Sequence, residues 1–146
     1  MPQGRYTVPI GQARVARSGT DITIVATSIM VHKSLAAAEE LAAAGISAEV
    51  IDLRTIRPID RDTVLASVEK TSRLICVYEA VKTLGIGAEI SAMVAESYAF
   101  DFLDAPIVRL GGSENPMPYN PELEKASVPQ VAHIVSNATS LVKGKI

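Results

Sequence analysis

A chain of 146 residues, 48% hydrophobic and 21% charged, has the length and balance of one globular domain and excludes a disordered segment. Its net charge of -2 offers no basic face for nucleic acid, and 4% aromatic residues without Trp supply few stacking platforms or cation cages. No apolar run approaches the ~20 residues of a bilayer span, and the polar MPQGRY start is not a signal peptide, so a soluble, cytoplasmic chain is expected.

Residues 1–11 read as a connection from an upstream domain, and residues 12–146 as the domain itself. A weakly alternating edge strand is expected over 12–17, ending before Gly19. "DITIVAT", rich in β-branched residues, is a second strand. "VHKSLAAAEELAAAG" is a helix stopped by Gly45 at C′, and "SAEVIDL" is a strand. The next helix begins just after Pro58 with Asp60 as N-cap, and it turns Val64, Leu65 and Val68 inward. "RLICVYE" has the continuous apolarity of a central parallel strand. A helix follows over 86–97, then "APIVRL" as the last strand. Residues 111–124 read as an ordered loop stiffened by Pro116, Pro118 and Pro121. The last helix is expected from Ser127, where "SVPQ" offers a capping box with Pro129 in the first turn. Strands alternating with helices of this length predict an α/β fold: three layers, α/β/α, with a mostly parallel sheet.

The helix over 86–97 is apolar nearly all round. Ile86, Ile90, Met93 and Val94 form a stripe for the sheet, while Ala88, Ala92 and Ala95 lie opposite among Glu89, Ser91 and Glu96. Such a helix is normally covered on both sides. A second copy or another domain is therefore expected on the alanine side, although alanine also serves as an exposed helix former.

Candidate chemistry is sparse. "LGIGAEI" puts G-x-G before a helix N-terminus, which is either a weak anion site or simply a tight strand-to-helix connection. His32 follows a strand end and His133 flanks the last helix; neither has ligand partners at metal spacing. Cys76, the only cysteine, falls in "LICVY" and reads as a buried thiol. Arg54 and Arg57, just past a strand end, suit an anion or interface clamp, or ordinary pairing with Asp60 or Asp62. No catalytic set and no metal site emerges.

"AEVIDLRTIRPID", "LGIGAEISAMVAE", "FDFLDAP" and "PMPYNPELE", in this order and spacing, are more specific together. From about Tyr6 onward the chain resembles the transketolase C-terminal domain family, closest to the beta subunits of the decarboxylating component of 2-oxo acid dehydrogenases (pyruvate, branched-chain, acetoin). The resemblance implies a five-stranded sheet with one antiparallel edge strand. It also implies an α2β2 enzyme that uses thiamine diphosphate and Mg2+ and passes an acyl group to a lipoyl arm. In that enzyme the cofactor lies between the alpha subunit and an upstream pyrimidine-binding domain, and the C-terminal domain holds subunits together. The chain has neither that domain's activating glutamate nor a G-D-G…N segment. The isolated polypeptide, whether fragment or separately encoded section, is therefore expected to be inactive and to bind no cofactor alone.

The resemblance further implies a docking surface. Asp104 of the L-D-A-P turn and the C-terminal carboxylate of Ile146 match groups that meet the acyltransferase's peripheral subunit-binding domain, a small basic domain. A bland role for Asp104, capping the turn before Pro106, stays open. Ile86, Ala88, Ala92, Ala95, Arg54 and Glu79 are expected at subunit interfaces, within a homodimer. Arg54 is a candidate partner for Glu79 by analogy. Tyr78 stands where relatives often have His, which leaves the polar role of that position in doubt. Two other readings remain: the equivalent section of a transketolase or 1-deoxyxylulose-5-phosphate synthase, and a free-standing anion- or nucleotide-binding module built on "LGIGAEI".

Overall fold

The computed structural model describes residues 4–144. Five strands form one sheet in the order β1-β3-β2-β4-β5: β1 (Arg14–Arg17), β2 (Ile22–Ala26), β3 (Ala48–Asp52), β4 (Leu74–Val81) and β5 (Val108–Gly112). Only the edge strand β1 runs antiparallel, with Arg14 opposite Asp52, and the other pairings are parallel. The expected three-layer fold with its antiparallel edge is thus observed.

Side-chain alternation along the strands divides the core. Ile22, Ile24, Ala26, Ile75 and Val77 face α1 (Ile29–Ala43) and α5 (Val131–Val142), whose Met30, Ala38, Leu41, Ile134 and Ala138 complete one apolar layer. Val25, Ile51, Leu74, Cys76 and Tyr78 face α2 (Arg61–Thr71) and α3 (Ile86–Ala95), meeting Val64, Val68, Ile90, Met93 and Val94. Cys76 is buried, and burial pushes its thiol up to about 12, so it is inert.

Capping follows the sequence at α2. Asp60 Oδ1 accepts from Thr63 N–H at 3.1 Å, and Asp60 Oδ2 accepts from Ala13 N–H at 2.8 Å, tying the chain before β1 to the helix start. Burial would raise this carboxyl's pKa, but those N–H donors and the Thr63 hydroxyl hold it below its ordinary value. Asp60→Ala is expected to cost about 2 kcal/mol in urea unfolding, the upper end for an N-cap, because a second N–H is orphaned too. A loss within the noise would remove the tie to Ala13.

Three expectations need correction. The stretch read as loop holds a helix, α4 (Pro121–Ser127), in which Asn120 Oδ1 accepts from Glu122 N–H (3.0 Å) and Pro121 opens the first turn. Ser127 therefore ends α4 and does not cap α5, which begins at Val131 after Gln130. There the Gln130 N–H donates to His133 Nδ1 at 3.2 Å. α3 is also shorter than expected. It stops at Ala95, and a 3-10 turn (Tyr98–Phe102) leads to the L-D-A-P segment.

Candidate assembly and docking surfaces

The expected site residues separate to opposite ends of the sheet. Arg54, Glu79 and Ile86 follow or end strands at the carboxyl edge, whereas Asp104 lies beside the start of β4, its N–H donating to Ser72 O at 3.0 Å. Between them α3 runs back along the sheet, with Ala88 half-buried and Ala92 and Ala95 exposed. Ile146 lies outside the described residues.

At the carboxyl edge the strand order reverses between β2 and β4, the position where open α/β sheets place their ligands. A crevice of about 460 Å³ opens there, lined among others by Thr27, Ile56, Glu79, Leu84, Ile86 and Glu89. Three non-glycine residues with left-handed φ follow the three central strands: Ser28 (54°), Arg54 (57°) and Leu84 (58°). Such conformations cost on the order of 1–3 kcal/mol each and concentrate at functional surfaces. Leu84 is 99% exposed at the crevice rim. The lining holds two carboxylates and no lysine or arginine, so it suits neither a diphosphate nor a nucleotide. Among the described residues no three His, Cys, Asp or Glu side chains converge as a metal set. These residues therefore do not fit thiamine diphosphate with Mg2+, and no catalytic step is derived from them.

The G-x-G of "LGIGAEI" has a packing explanation. A Cβ at Gly87 would sit 2.3 Å from Tyr78 Cε1, and one at Gly85 would sit 2.7 Å from Tyr78 Cε2. Gly111 approaches the same ring from β5, at 3.0 Å. The glycines form a socket for a buried tyrosine. Among the described residues its hydroxyl makes no well-formed hydrogen bond, and burial raises its pKa against the opposing pull of nearby Arg109. The anion-site alternative loses its glycines to this role.

Arg54 Nε lies 3.9 Å from Asp52 Oδ2, and no Arg54–Glu79 pair forms among the described residues. The analogy-based pairing is thus corrected: the left-handed turn at Arg54 returns its side chain to the end of its own strand, and Glu79 is exposed. His32 is exposed on α1.

Asp104 is 48% exposed and pairs through Oδ2 with Arg73 Nη2, while Arg73 Nη1 donates to Asp21 O at 3.1 Å. Both the exposed corner and a local tie are therefore real. Arg73, a lone arginine before a strand, carries no motif that marks it in the sequence. Next to Asp104 an apolar cavity of about 600 Å³ lies between α3 and the turn, lined by Ser91, Ala95, Phe100, Leu103, Pro106 and Ile107 among others.

The model of the transketolase C-terminal domain matches residues 11–134. The chain belongs to the transketolase C-terminal domain family. Within that family it is 54% identical over 133 residues to the mitochondrial pyruvate dehydrogenase E1 component subunit beta of Dictyostelium discoideum, covering 91% of this chain and 37% of that protein. It is 44% identical over 144 residues to the acetoin:2,6-dichlorophenolindophenol oxidoreductase subunit beta of Cupriavidus necator, covering 99% of this chain and 42% of that one. The chain thus spans about two fifths of these relatives. A solved structure described as a split gene transketolase, inactive beta4 tetramer, superposes with a TM-score of 0.83 at 27% identity, over 94% of this chain and 44% of that one. No helix among the described residues is long and apolar enough to cross a membrane.

Proposed function

We propose that the chain is the C-terminal assembly and docking domain of a 2-oxo acid dehydrogenase E1 beta subunit, without a catalytic group of its own. The decarboxylation, with thiamine diphosphate and Mg2+, belongs in this reading to the whole enzyme. Its alpha subunit and a pyrimidine-binding domain supply the cofactor cleft, and residues 1–11 connect to that upstream domain. The kinship to E1 beta subunits, at 54% and 44% identity, supports this reading over transketolase or a free-standing binding module.

One end of the sheet faces the rest of the enzyme. The crevice with Arg54, Glu79 and Ile86, its left-handed turns and the exposed Leu84 have the character of a surface completed by another subunit. Ala88, Ala92 and Ala95 extend that contact along α3 toward a second copy, giving a homodimer. The other end docks the acyltransferase's peripheral subunit-binding domain through Asp104, and the same reading gives the carboxylate of Ile146, outside the described residues, a part in that docking. A cytoplasmic setting belongs to the same reading, although several relatives are named as mitochondrial.

The observation that carries the docking reading is Asp104 itself, a half-exposed carboxylate on a turn at the edge opposite the crevice. The test is calorimetric titration of the assembled α2β2 enzyme with the isolated subunit-binding domain. Asp104→Asn is expected to weaken binding at least tenfold and to flatten its salt dependence. Unchanged affinity would withdraw the docking assignment.

A further inference from the structure

We infer that the apolar cavity beside Asp104 is the anchor pocket of the docking surface and takes one bulky apolar side chain from a basic partner segment. The inference rests on the docking reading and adds to it a second determinant that is apolar. The cavity is lined by Ser91 and Ala95 of α3, by Phe100 of the 3-10 turn, and by Leu103, Pro106 and Ile107 of the segment that follows. Leu103 and Ala105, which flank Asp104 in the chain, both line it, so Asp104 adjoins the cavity in the chain, while Asp101 is the carboxylate that lines it.

The surroundings are unusually aromatic for this protein. Of its six aromatic residues (four Tyr and two Phe), Tyr98, Phe100 and Phe102 sit on one 3-10 turn, and all three are substantially exposed. Tyr98 and Phe102 pack edge to face at 6.4 Å, which holds the turn in shape and leaves Phe100 turned to the cavity. Exposed apolar clusters of this kind mark contact surfaces, and an aromatic such as Phe100 at a concave site is a common interface hot spot.

Charge decides between occupants. Asp101 lines the cavity and has no ion pair among the described residues, Asp104 gives only one oxygen to Arg73, and no lysine or arginine lines the pocket. A second copy seated here across a two-fold axis would bring Asp101 and Asp104 near their own equivalents, and like charges would meet. A partner segment carrying lysine or arginine beside a Leu, Ile or Phe satisfies both features: the cation meets Asp104 and Asp101, and the apolar side chain fills the cavity.

The experiment uses the assembled α2β2 enzyme titrated with the isolated subunit-binding domain. Four variants are compared: Phe100→Ala, which removes a wall; Ser91→Leu, which fills the cavity from α3 without touching the proposed dimer alanines; Asp104→Asn; and Ala36→Leu, an exposed α1 control. Melting curves confirm folding, and Phe100→Ala carries the test if Ser91→Leu does not assemble. Both cavity variants are expected to weaken binding at least tenfold, with Ala36→Leu unchanged. If Asp104→Asn weakens docking and the cavity variants bind like the parent, the anchor pocket is refuted while the docking reading stands. If all four bind like the parent, both fall. If the cavity variants instead lower self-association of the chain in sedimentation and leave docking intact, the pocket belongs to a second copy and the inference is overturned.

Discussion

Gly87→Ala is expected to destabilise the domain by about 3 kcal/mol, the upper end for overpacking a core. The added methyl would lie 2.3 Å from Tyr78 Cε1 and 2.8 Å from its hydroxyl oxygen, distances that real Cβ atoms do not tolerate. The ring has nowhere to retreat, because Tyr78 is 2% exposed and Gly85 and Gly111 already close on its other edge. For a chain of this length about 3 kcal/mol corresponds to a fall in Tm of very roughly 6–12 °C. The control is a double-mutant cycle. Tyr78→Leu should recover much of the loss in the Gly87→Ala background, since the clash is with the ring and not with the helix. Tyr78→Phe alone should be close to neutral, because among the described residues the hydroxyl it removes is buried with no well-formed hydrogen bond and only Arg109 nearby. A Gly87→Ala protein that melts with the parent would show that the socket is looser than the geometry states.

The same socket shows where sequence reasoning reaches its limit. "LGIGAEI" is visible as G-x-G before a helix, but glycines that admit a ligand and glycines that admit a side chain look alike in one dimension. Only the placement of Tyr78 under α3 and against β5 separates the two. The layered fold was legible because β-branched runs and alanine-rich helices alternate with a clean period, and Asp60 and Gly45 punctuate them where the structure does. α4 carries a start signal as well, but one set in a proline-rich stretch. Asn120, Pro121, Glu122 and Glu124 make a cap, a first-turn proline and an acidic first turn, a full helix-start signal hidden among prolines that suggested loop. With no buried residue in α4, hydrophobic periodicity had nothing to report. Asp104 could be named only through the resemblance its L-D-A-P turn carries, and the Arg73 tie and the cavity beside it depend on contacts 31 residues apart or on three converging segments.

The placement of residues also orders the two contact surfaces. Because α3 begins at the carboxyl edge of the sheet and the 3-10 turn ends beside the start of β4, one helix links the crevice at Glu79 to the turn at Asp104. The subunit contacts proposed at one end and the docking proposed at the other need not compete for the same side chains, except near Ala95, where the helix meets the cavity.

The second large effect is expected at Glu49, whose side chain is only 3% exposed. Its Oε1 accepts from Ser67 Oγ at 2.6 Å; its Oε2 accepts from Lys70 Nζ and from Gly19 N–H at 3.3 Å. Ser67 Oγ in turn lies 2.6 Å from Thr23 Oγ1, which reaches Thr71 Oγ1 at 2.6 Å, so one carboxylate joins β2, β3, α2 and the turn before β2. Burial alone would raise the pKa of Glu49, but the bonds from Lys70, Ser67 and Gly19 outweigh it and hold the carboxyl below its ordinary value of 4.5. The ionised form therefore stabilises the fold fully above that unfolded value, and this contribution disappears as pH falls through the lower folded pKa. Glu49→Ala is expected to cost about 3 kcal/mol at neutral pH, the low end for breaking a buried pair, because Lys70 can return to water while Ser67 and Gly19 cannot. Glu49→Gln keeps the shape and some of the bonds, so it should cost less and should flatten the acid limb of the stability curve. Urea midpoints from pH 3 to 7 distinguish these outcomes, with m-values checked for constancy. If Glu49→Gln unfolds with the same acid slope as the parent, another carboxyl governs that limb, and Asp60, held low by Ala13 and Thr63, is the next to replace.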